Sequence, residues 1–322
     1  MIQFPFQECW PFYFGFSVFV LLMLALDLGV FHRKAHEVTV REASAWTFLW
    51  VGLAGLFNAL LFLYVRWSLP ESPELAQQLA LEFLSGFVVE KSLAIDNVFV
   101  FAIVFSYFGI PKMFQHRFLF CGIVGALVFR AVFIALGSHL LAYKGVVIFL
   151  GILLVVTGIK MILSADQLME PEKSWLIRLL KKILRIDFAE RGGKFWIRKE
   201  GQVYFTPLFL ALVFLELTDV LFAIDSVPAI FALTKEPLIV FTSNIFAILG
   251  LRSMYFMLAG VLDRFKYVKY GLAAVLVFVG LKMAWLNELF GGKFPIGWSL
   301  VIISTLIGSS MVASWIRFAA KR

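Results

Sequence analysis

Charged side chains are scarce in this chain. They account for 16% of its 322 residues, whereas 61% of the residues are hydrophobic. An ordinary soluble domain is about one quarter charged. The low charge and the long apolar runs exclude a typical soluble protein and predict an all-α protein that crosses a membrane several times.

Cysteine and histidine are also rare, with two cysteines and four histidines. Cys9 precedes the first apolar run and Cys121 begins the fourth, on opposite sides of the predicted membrane, so no disulfide is expected between them. None of the histidines falls in the middle of an apolar run. Zinc and copper sites inside the membrane are therefore disfavoured, whereas oxygen ligands for Mg²⁺, Ca²⁺ or Mn²⁺ remain.

Apolar windows of roughly 20 residues recur along the chain and predict nine transmembrane helices. The windows lie near residues 11–31, 43–65, 78–108, 118–138, 146–163, 205–233, 239–260, 268–287 and 297–316. An odd number of spans places the two termini on opposite sides of the membrane.

Basic residues set the orientation and account for the net charge of +8. With the N-terminus outside, 20 of the 29 Lys and Arg residues fall in inner loops and only four in outer segments. This split follows the positive-inside rule and predicts a cytoplasmic C-terminus. The basic charge thus reflects topology, and no nucleic-acid partner is expected.

Two parts of the chain repeat each other. The segment "LLVVTGIKM" at 153–161 resembles "VLVFVGLKM" at 275–283, an offset of 122 residues that also relates Arg130 to Arg252. Farther upstream, "EKSLAIDNV" at 90–98 resembles "DVLFAIDSV" at 219–227, offset by 129. Spans 3–5 and 6–8 are therefore predicted to form two three-helix repeats. Because three is an odd number of helices, the second repeat enters the membrane from the opposite side, as in many transporters.

Five regions follow from this arrangement. They are two N-terminal spans in 1–77, the first repeat in 78–163, a cytoplasmic segment in 164–204, the second repeat in 205–290, and the ninth span with a cytoplasmic tail in 291–322. Within the cytoplasmic segment, residues 172–187 alternate apolar and basic residues at helical spacing, which predicts a helix on the inner, lipid-facing membrane surface. Residues 195–205 predict two short strands around Glu200-Gly201.

Acidic residues inside the spans are the strongest functional signal. Glu82 is expected at the membrane interface. Six others lie deeper, where ionisable residues face a bundle interior and mark ion paths; they are Asp27, Glu90, Asp96, Glu216, Asp219 and Asp225. Lys91, Arg130 and Arg252 are too few to balance them and are expected to serve charge balance or gating, while Lys160 and Lys282 are expected to snorkel to the interface.

Neutral oxygens accompany these acids. Asn97 and Ser226 follow Asp96 and Asp225 and suit either cation binding or hydrogen bonds between helices. Pro228 is expected to leave a backbone carbonyl unpaired beside Asp225. Acids six residues apart, such as Glu90 and Asp96, lie about 240° apart around a helix. Both can therefore bind in the same site only if the helix is broken or the site wraps around the helix.

Three other interpretations remain open at this point. A duplicated scaffold with no transport role would also show the repeat, and a membrane anchor for a partner complex would also be apolar. Paired aspartates in a membrane also serve aspartyl proteases. The GxGD context of such a protease is absent, and the nearest string is "GVLD" at 260–263.

The motifs resemble those of the TerC family of bacterial integral membrane proteins, and within it the Alx branch. The resemblance rests on "EKSLAIDNVFV", "LELTDVLFAIDSVPAIFA", "TSNIFAILGLRSMYFMLAG" and "LALDLGVFHRKAHE". It implies an inner-membrane exporter of Mn²⁺. By match of motif it implies a metal site formed by Asp27, Glu90, Asp96, Asn97, Glu216, Asp219, Asp225 and Ser226.

The sequence and the resemblance together predict a transporter and not an enzyme. Mn²⁺ is its expected substrate, with Ca²⁺ or another cation as the alternative, and no prosthetic group is expected. Asp96 and Asp225 are expected to face each other across the repeat interface. Alternating access would move the cation outward, with protons as possible coupling ions and membrane lipids as the surroundings.

Overall fold

A computed structural model describes residues 6–29, 38–140, 143–163, 184–187, 194–199, 201–259, 267–290 and 294–319. Most of these residues are helical. The helices are α1 (Phe6–Gly29), α2 (Val40–Ser68), α3 (Pro73–Tyr107), α4 (Lys112–Leu140), α5 (Lys144–Leu163), α6 (Pro207–Phe231), α7 (Pro237–Leu249), α8 (Leu251–Leu258), α9 (Val268–Leu281), α10 (Asn287–Leu289) and α11 (Ile296–Ala319). A π-helical turn at Lys282–Leu286 joins α9 to α10.

Each of the nine predicted apolar windows overlaps at least one described helix. Among the described residues, six stretches are long and apolar enough to cross a membrane. They are Val40–Ser68, Lys112–Gly137, Lys144–Leu163, Pro237–Leu258, Val268–Leu289 and Ile296–Arg317. The structure thus confirms a helical protein with several spans, while the count of nine remains a prediction.

The outer surface is strongly apolar. Large hydrophobic side chains remain exposed along α2, α5 and α11, and Trp67 is 81% exposed and Phe48 73%. A soluble monomer rarely shows such continuous apolar surface, whereas a lipid-facing surface requires it.

Local sequence signals set several helix ends. Thr39 caps α2 by accepting a hydrogen bond from the Glu42 amide, and Thr206 caps α6 by accepting one from the Phe209 amide. Gly109 adopts a positive φ of 61° just beyond α3, where a residue with a Cβ would be strained.

Helices α3 and α7 occupy the centre of the bundle. Helix α3 packs against α2, α6, α7 and α11, and nearly all of the apolar stretch Pro237–Leu258 is buried. Helix α3 runs unbroken, and α6 continues through Pro228, so neither motif helix is broken at its acids. The interruption lies instead at Gly250, between α7 and α8. A single site including both Glu90 and Asp96 must therefore wrap around an intact helix.

Helices α5 and α9 approach each other at glycines. A Cβ on Gly280 would lie 2.6 Å from the carbonyl oxygen of Gly151, and a Cβ on Gly158 would lie 2.7 Å from that of Ala273. Because position 151 is close to 280 while 158 is close to 273, the two helices run antiparallel. Small residues allow this close packing of two backbones in a membrane.

The remaining contacts between the two predicted repeats are reciprocal. Helix α3 of the first repeat packs against α7 of the second, and α6 of the second repeat packs against α4 of the first. Helices α3 and α6 are also in contact with each other, and so are α4 and α7. This set of contacts is unchanged when the helices of one repeat are exchanged for those of the other.

The predicted hairpin is confirmed, with β1 at Trp196–Lys199 paired antiparallel to β2 at Gln202–Phe205. Gly201, in the two-residue turn, has a φ of 77°, which favours glycine. Most of the predicted amphipathic helix over 172–187 lies outside the described residues.

The glycine crossing yields a stability prediction. We expect Gly280→Ala to lower the melting temperature in detergent, because its Cβ would collide with the Gly151 carbonyl and overpacking costs about 1–3 kcal/mol. Gly55→Ala in α2 is the matched control, since nothing lies within 4 Å of a Cβ there. Equal melting of Gly280→Ala and wild type would contradict the close crossing.

Candidate acidic site within the helix bundle

A buried ion pair joins α3 to α4. The Arg130 guanidinium donates from Nη1 to Oε1 of Glu90, and each residue is only 1% exposed. The same Nη1 donates to Oδ1 of Asn244 at 2.6 Å. The Asn244 amide is fixed in turn, because its Nδ2 donates to the Val240 carbonyl at 2.9 Å. Arg130 is thus held between α3 and α7 by two acceptors.

A second polar contact joins the two motif helices directly. Nδ2 of Asn97 on α3 donates to Oδ1 of Asp219 on α6 at 3.2 Å, and both side chains are buried. Asp219 also interacts electrostatically with Glu90, Arg130 and Glu216. These contacts form one network where α3, α4 and α6 meet. Its members are Glu90, Asn97, Glu216 and Asp219, and we call these four residues together with Ser226 the acidic cluster.

The carboxylate of Glu216 packs directly on the backbone of α4. A Cβ on Gly125 would overlap both carboxylate oxygens. Only glycine at position 125 leaves room for the acid in this position, so Gly125 belongs to the construction of the site although it carries no functional group.

Several buried oxygen atoms in the acidic cluster make no hydrogen bond to any described residue. They are Glu90 Oε2, Glu216 Oε2, Asp219 Oδ2 and Ser226 Oγ. Ser226 lies close enough to the Glu90 carboxylate to interact with it, although its geometry does not satisfy a hydrogen bond. Native proteins pair nearly all buried polar groups, so a group of unpaired acceptors indicates a place where a cation or proton binds.

The other two predicted charge-balancing residues are held differently. Nζ of Lys91 donates to the Ala247 carbonyl at 3.2 Å, near the C-terminal end of α7, where the helix dipole favours a positive charge. Arg252 lines a small pocket with Trp46, Trp50 and His116. Arg130 is the cation that forms the ion pair with Glu90 of the cluster.

Three predicted ligands lie on α1, α3 and α6, but their side chains fall outside the described part of the structure. They are Asp27, Asp96 and Asp225. The predicted apposition of Asp96 and Asp225 therefore stays a prediction. Among the described residues, no three His, Cys, Asp or Glu side chains lie close enough together to hold a metal ion.

One sequence-based expectation is wrong: Lys282 does not snorkel to the interface, since it is only 1% exposed. Glu82 is also 1% exposed and accepts hydrogen bonds from Gln78 at 2.7 Å and Thr234 at 2.5 Å, while its expected depth in the membrane stays a prediction. Position along a span predicts depth, but it does not tell which side of a helix faces protein.

Sequence reasoning also missed Asn244 and Gly125. Asn244 carried a usable signal, since it is a lone amide in an apolar helix and lies within the motif "TSNIFAILG". Gly125 carried none, because the need for a glycine arises only from the packing of α6 against α4.

An apolar outer surface around a buried acidic cluster defines a multi-pass integral membrane protein. The chain belongs to the Integral membrane protein TerC family, whose pattern it matches over residues 75–322. The match begins at α3, so it includes both predicted repeats and the whole acidic cluster.

Curated relatives extend the similarity over almost the full chain. An "Uncharacterized membrane protein STKORF319" of Myxococcus xanthus is 47% identical over 304 residues, which cover 94% of this chain and 91% of the relative. A "Putative membrane-bound redox modulator Alx" of Escherichia coli K12 is 44% identical over 307 residues, 94% of each chain. No solved structure shows significant similarity.

The buried ion pair yields a second stability prediction. We expect Arg130→Met to lower the melting temperature in detergent by roughly 10 °C, because it leaves Glu90 buried without its partner, at a cost of about 3–5 kcal/mol. The control is Lys144→Met, which removes the exposed ion pair of Lys144 with Glu288, and exposed pairs contribute only about 0–1 kcal/mol. A similar small effect of both variants would show that Glu90 is not charged in the folded protein.

Proposed function

We propose that this protein is a transporter that exports a divalent cation, Mn²⁺, by alternating access. The observation that carries the proposal is the set of buried oxygens without hydrogen-bond partners in the acidic cluster at the contact of α3 with α6. Ionisable groups at such a position are costly in a membrane, and a bound cation offsets that cost.

The contacts between helices support a transporter built from inverted repeats. The contact of Gly151 with Gly280 becomes that of Gly158 with Ala273 when each residue is replaced by its equivalent at the 122-residue offset. Helices α5 and α9 are antiparallel at this crossing, as inversion requires. We therefore propose nine spans, with spans 3–5 and 6–8 as the two repeats that rock against each other.

The ligand chemistry favours a hard cation. Carboxylate, amide and hydroxyl oxygens suit Mn²⁺, Mg²⁺ or Ca²⁺. Mn²⁺ is the choice that follows from the resemblance to the TerC family, and Ca²⁺ is the alternative.

The proposed binding residues come from both repeats. Asp219 and Glu216 supply carboxylates from α6, with Asn97 and Ser226 beside them. The sequence-based set adds Asp27, Glu90, Asp96 and Asp225. Closure of one repeat against the other would bring in further ligands that the described side chains do not supply.

Orientation and location are part of the same proposal. The distribution of Lys and Arg favours an outer N-terminus and a cytoplasmic C-terminus in a bacterial inner membrane. Cations would then bind from the cytoplasm and leave on the outer side. Lys91 and Arg252 lie near the interruption at Gly250, and gating is the role that we propose for them.

The name of the Escherichia coli relative refers to redox modulation, and that name belongs to the relative. In this chain, Cys9 and Cys121 form no disulfide. We propose a transporter with no prosthetic group and no enzymatic activity, and the acidic cluster is the observation that favours it.

Metal flux tests the proposal directly. Purified protein in liposomes is expected to move Mn²⁺, and Asp219→Asn, Asp96→Asn and Asp225→Asn should each reduce the flux at least about tenfold because each removes a ligand charge. Glu82→Gln is the matched control, a buried acid of α3 whose partners are Gln78 and Thr234. Normal flux in all three Asp variants would refute the site.

Proton coupling is a separate prediction. Carboxylates crowded in a buried cluster favour protonation once the cation leaves, since like charges repel in a medium of low polarity. A pH-sensitive dye inside the liposomes should therefore report proton movement opposite to Mn²⁺. Mn²⁺ flux with a constant internal pH would exclude coupling while leaving transport intact.

A further inference from the structure

The hairpin of β1 and β2 has two faces with different compositions. Successive residues of a strand point to opposite faces, and residues directly opposite each other on paired strands share a face. One face therefore carries Ile197, Lys199, Gln202 and Tyr204, and the other carries Trp196, Arg198, Val203 and Phe205. We call the second set the Trp196 face.

The polar side chains of the first face have partners in the neighbouring segment 184–187. Arg185 donates to the side-chain oxygen of Gln202, and Asp187 accepts from the ammonium of Lys199. The polar groups of this face are therefore used in contacts within the chain.

The Trp196 face is exposed and combines apolar surface with positive charge. Trp196 is 61% exposed and Val203 is 47% exposed. Arg198 is exposed as well, and so is Lys194, two residues before Trp196. Neither strand contains an acidic residue. Apolar and basic side chains together on an exposed face are typical of a surface that contacts anionic lipid.

Hydrogen bonds fix the hairpin to the start of α6. The Thr206 amide donates to the Phe195 carbonyl at 3.1 Å, and the Thr206 hydroxyl donates to the Lys194 carbonyl at 2.7 Å. Thr206 is fully buried, and the Phe195 side chain packs against the buried core that contains Leu208 of α6. The base of the hairpin is therefore held against the helix bundle.

The register places Trp196 at the level where α6 begins. Trp196 is directly opposite Phe205, and the Cα atoms of such a pair lie about 4.5–5.5 Å apart. The Phe205 ring packs on that of Phe209 in the first turn of α6, with the ring centroids 4.4 Å apart. The apolar window of the sixth predicted span begins at residue 205, so Trp196 lies at the end of that span, where the membrane meets water. Tryptophan is enriched at this boundary.

We propose that the Trp196 face rests on the membrane surface beside the N-terminal end of α6. The side chains of Trp196 and Val203 contact the boundary between lipid headgroups and acyl chains, and Lys194 and Arg198 bind anionic lipid phosphates. The distribution of Lys and Arg along the chain predicts that this surface is the inner leaflet. The contact fixes to the lipid surface the beginning of the helix that carries two acids of the acidic cluster. This inference does not depend on the proposed transport function.

Fluorescence quenching in the full-length protein tests this inference. In a background of Cys9→Ser and Cys121→Ser, a single Val203→Cys or Gln202→Cys variant is labelled with a nitrobenzoxadiazole dye and placed in liposomes of phosphatidylcholine and phosphatidylglycerol. Lipids that carry a nitroxide near the headgroup quench dyes at the membrane surface. Positions 203 and 202 are adjacent but lie on opposite faces, so we expect at least about twofold stronger quenching at 203.

Two outcomes of this comparison would overturn the inference. Equally weak quenching at positions 203 and 202 would show that the Trp196 face contacts water or serves a protein partner. Equally strong quenching at both positions would show that neither face is preferred by the lipid.

Removal of the indole tests the apolar part of the contact. In the Val203→Cys reporter, Trp196→Ala is expected to lower the quenching by about half or more, because Trp196 is the most exposed large apolar side chain of the face. The melting temperature in detergent should stay the same, so that a loss of quenching reports lipid contact and not unfolding. Unchanged quenching would contradict the proposed contact of Trp196 with lipid.

The charge of the lipid supplies a separate test. The Val203→Cys reporter should be quenched less in liposomes of phosphatidylcholine alone. In the mixed liposomes, Lys194→Gln with Arg198→Gln should lower the ratio of lipid-bound to free hairpin roughly tenfold, because each cation near an anionic surface adds to the attraction. Lys144→Gln is the control, since Lys144 is exposed at the start of α5 and pairs with Glu288. Quenching that responds neither to lipid charge nor to the two Gln substitutions would overturn the assignment of anionic lipid to this face.

Discussion

A membrane interior offers no water to polar groups, so each charge inside this bundle needs a partner within the protein. The ion pair of Arg130 with Glu90 meets that requirement at the centre of the fold. It links α3 to α4, and through Asn244 it also links both to α7. The three helices that carry these residues are thereby fixed around the place where α6 brings Asp219 and Glu216. The arrangement of the acidic cluster depends on this one buried charge pair.

Close packing of backbones supplies the second constraint. Lipid chains are as apolar as leucine, so burial of apolar surface does little to bring helices together, and small residues let van der Waals contacts do so. Gly151 and Gly280 join α5 to α9 in this way, and Gly125 makes room for the Glu216 carboxylate against α4. Glycine thus serves both the framework and the site.

The two predicted repeats are similar in sequence but differ at particular positions. The contacts between their helices are reciprocal. Asn244, which accepts a hydrogen bond from Arg130, corresponds at the 122-residue offset to Gly122, so the amide acceptor is present in one predicted repeat and absent at the equivalent position of the other.

The sequence by itself determined the membrane class, the positions of the helices and the hairpin, because apolar periodicity, charge bias and turn chemistry are local properties of the chain. It misplaced Lys282 and missed Asn244 and Gly125. Those depend on which face of a helix meets which neighbour, and on how near two backbones approach. Only the tertiary structure decided that Arg130 pairs with Glu90 while Asn97 pairs with Asp219, since partners 40 and 122 residues apart are chosen by packing and not by spacing along the chain.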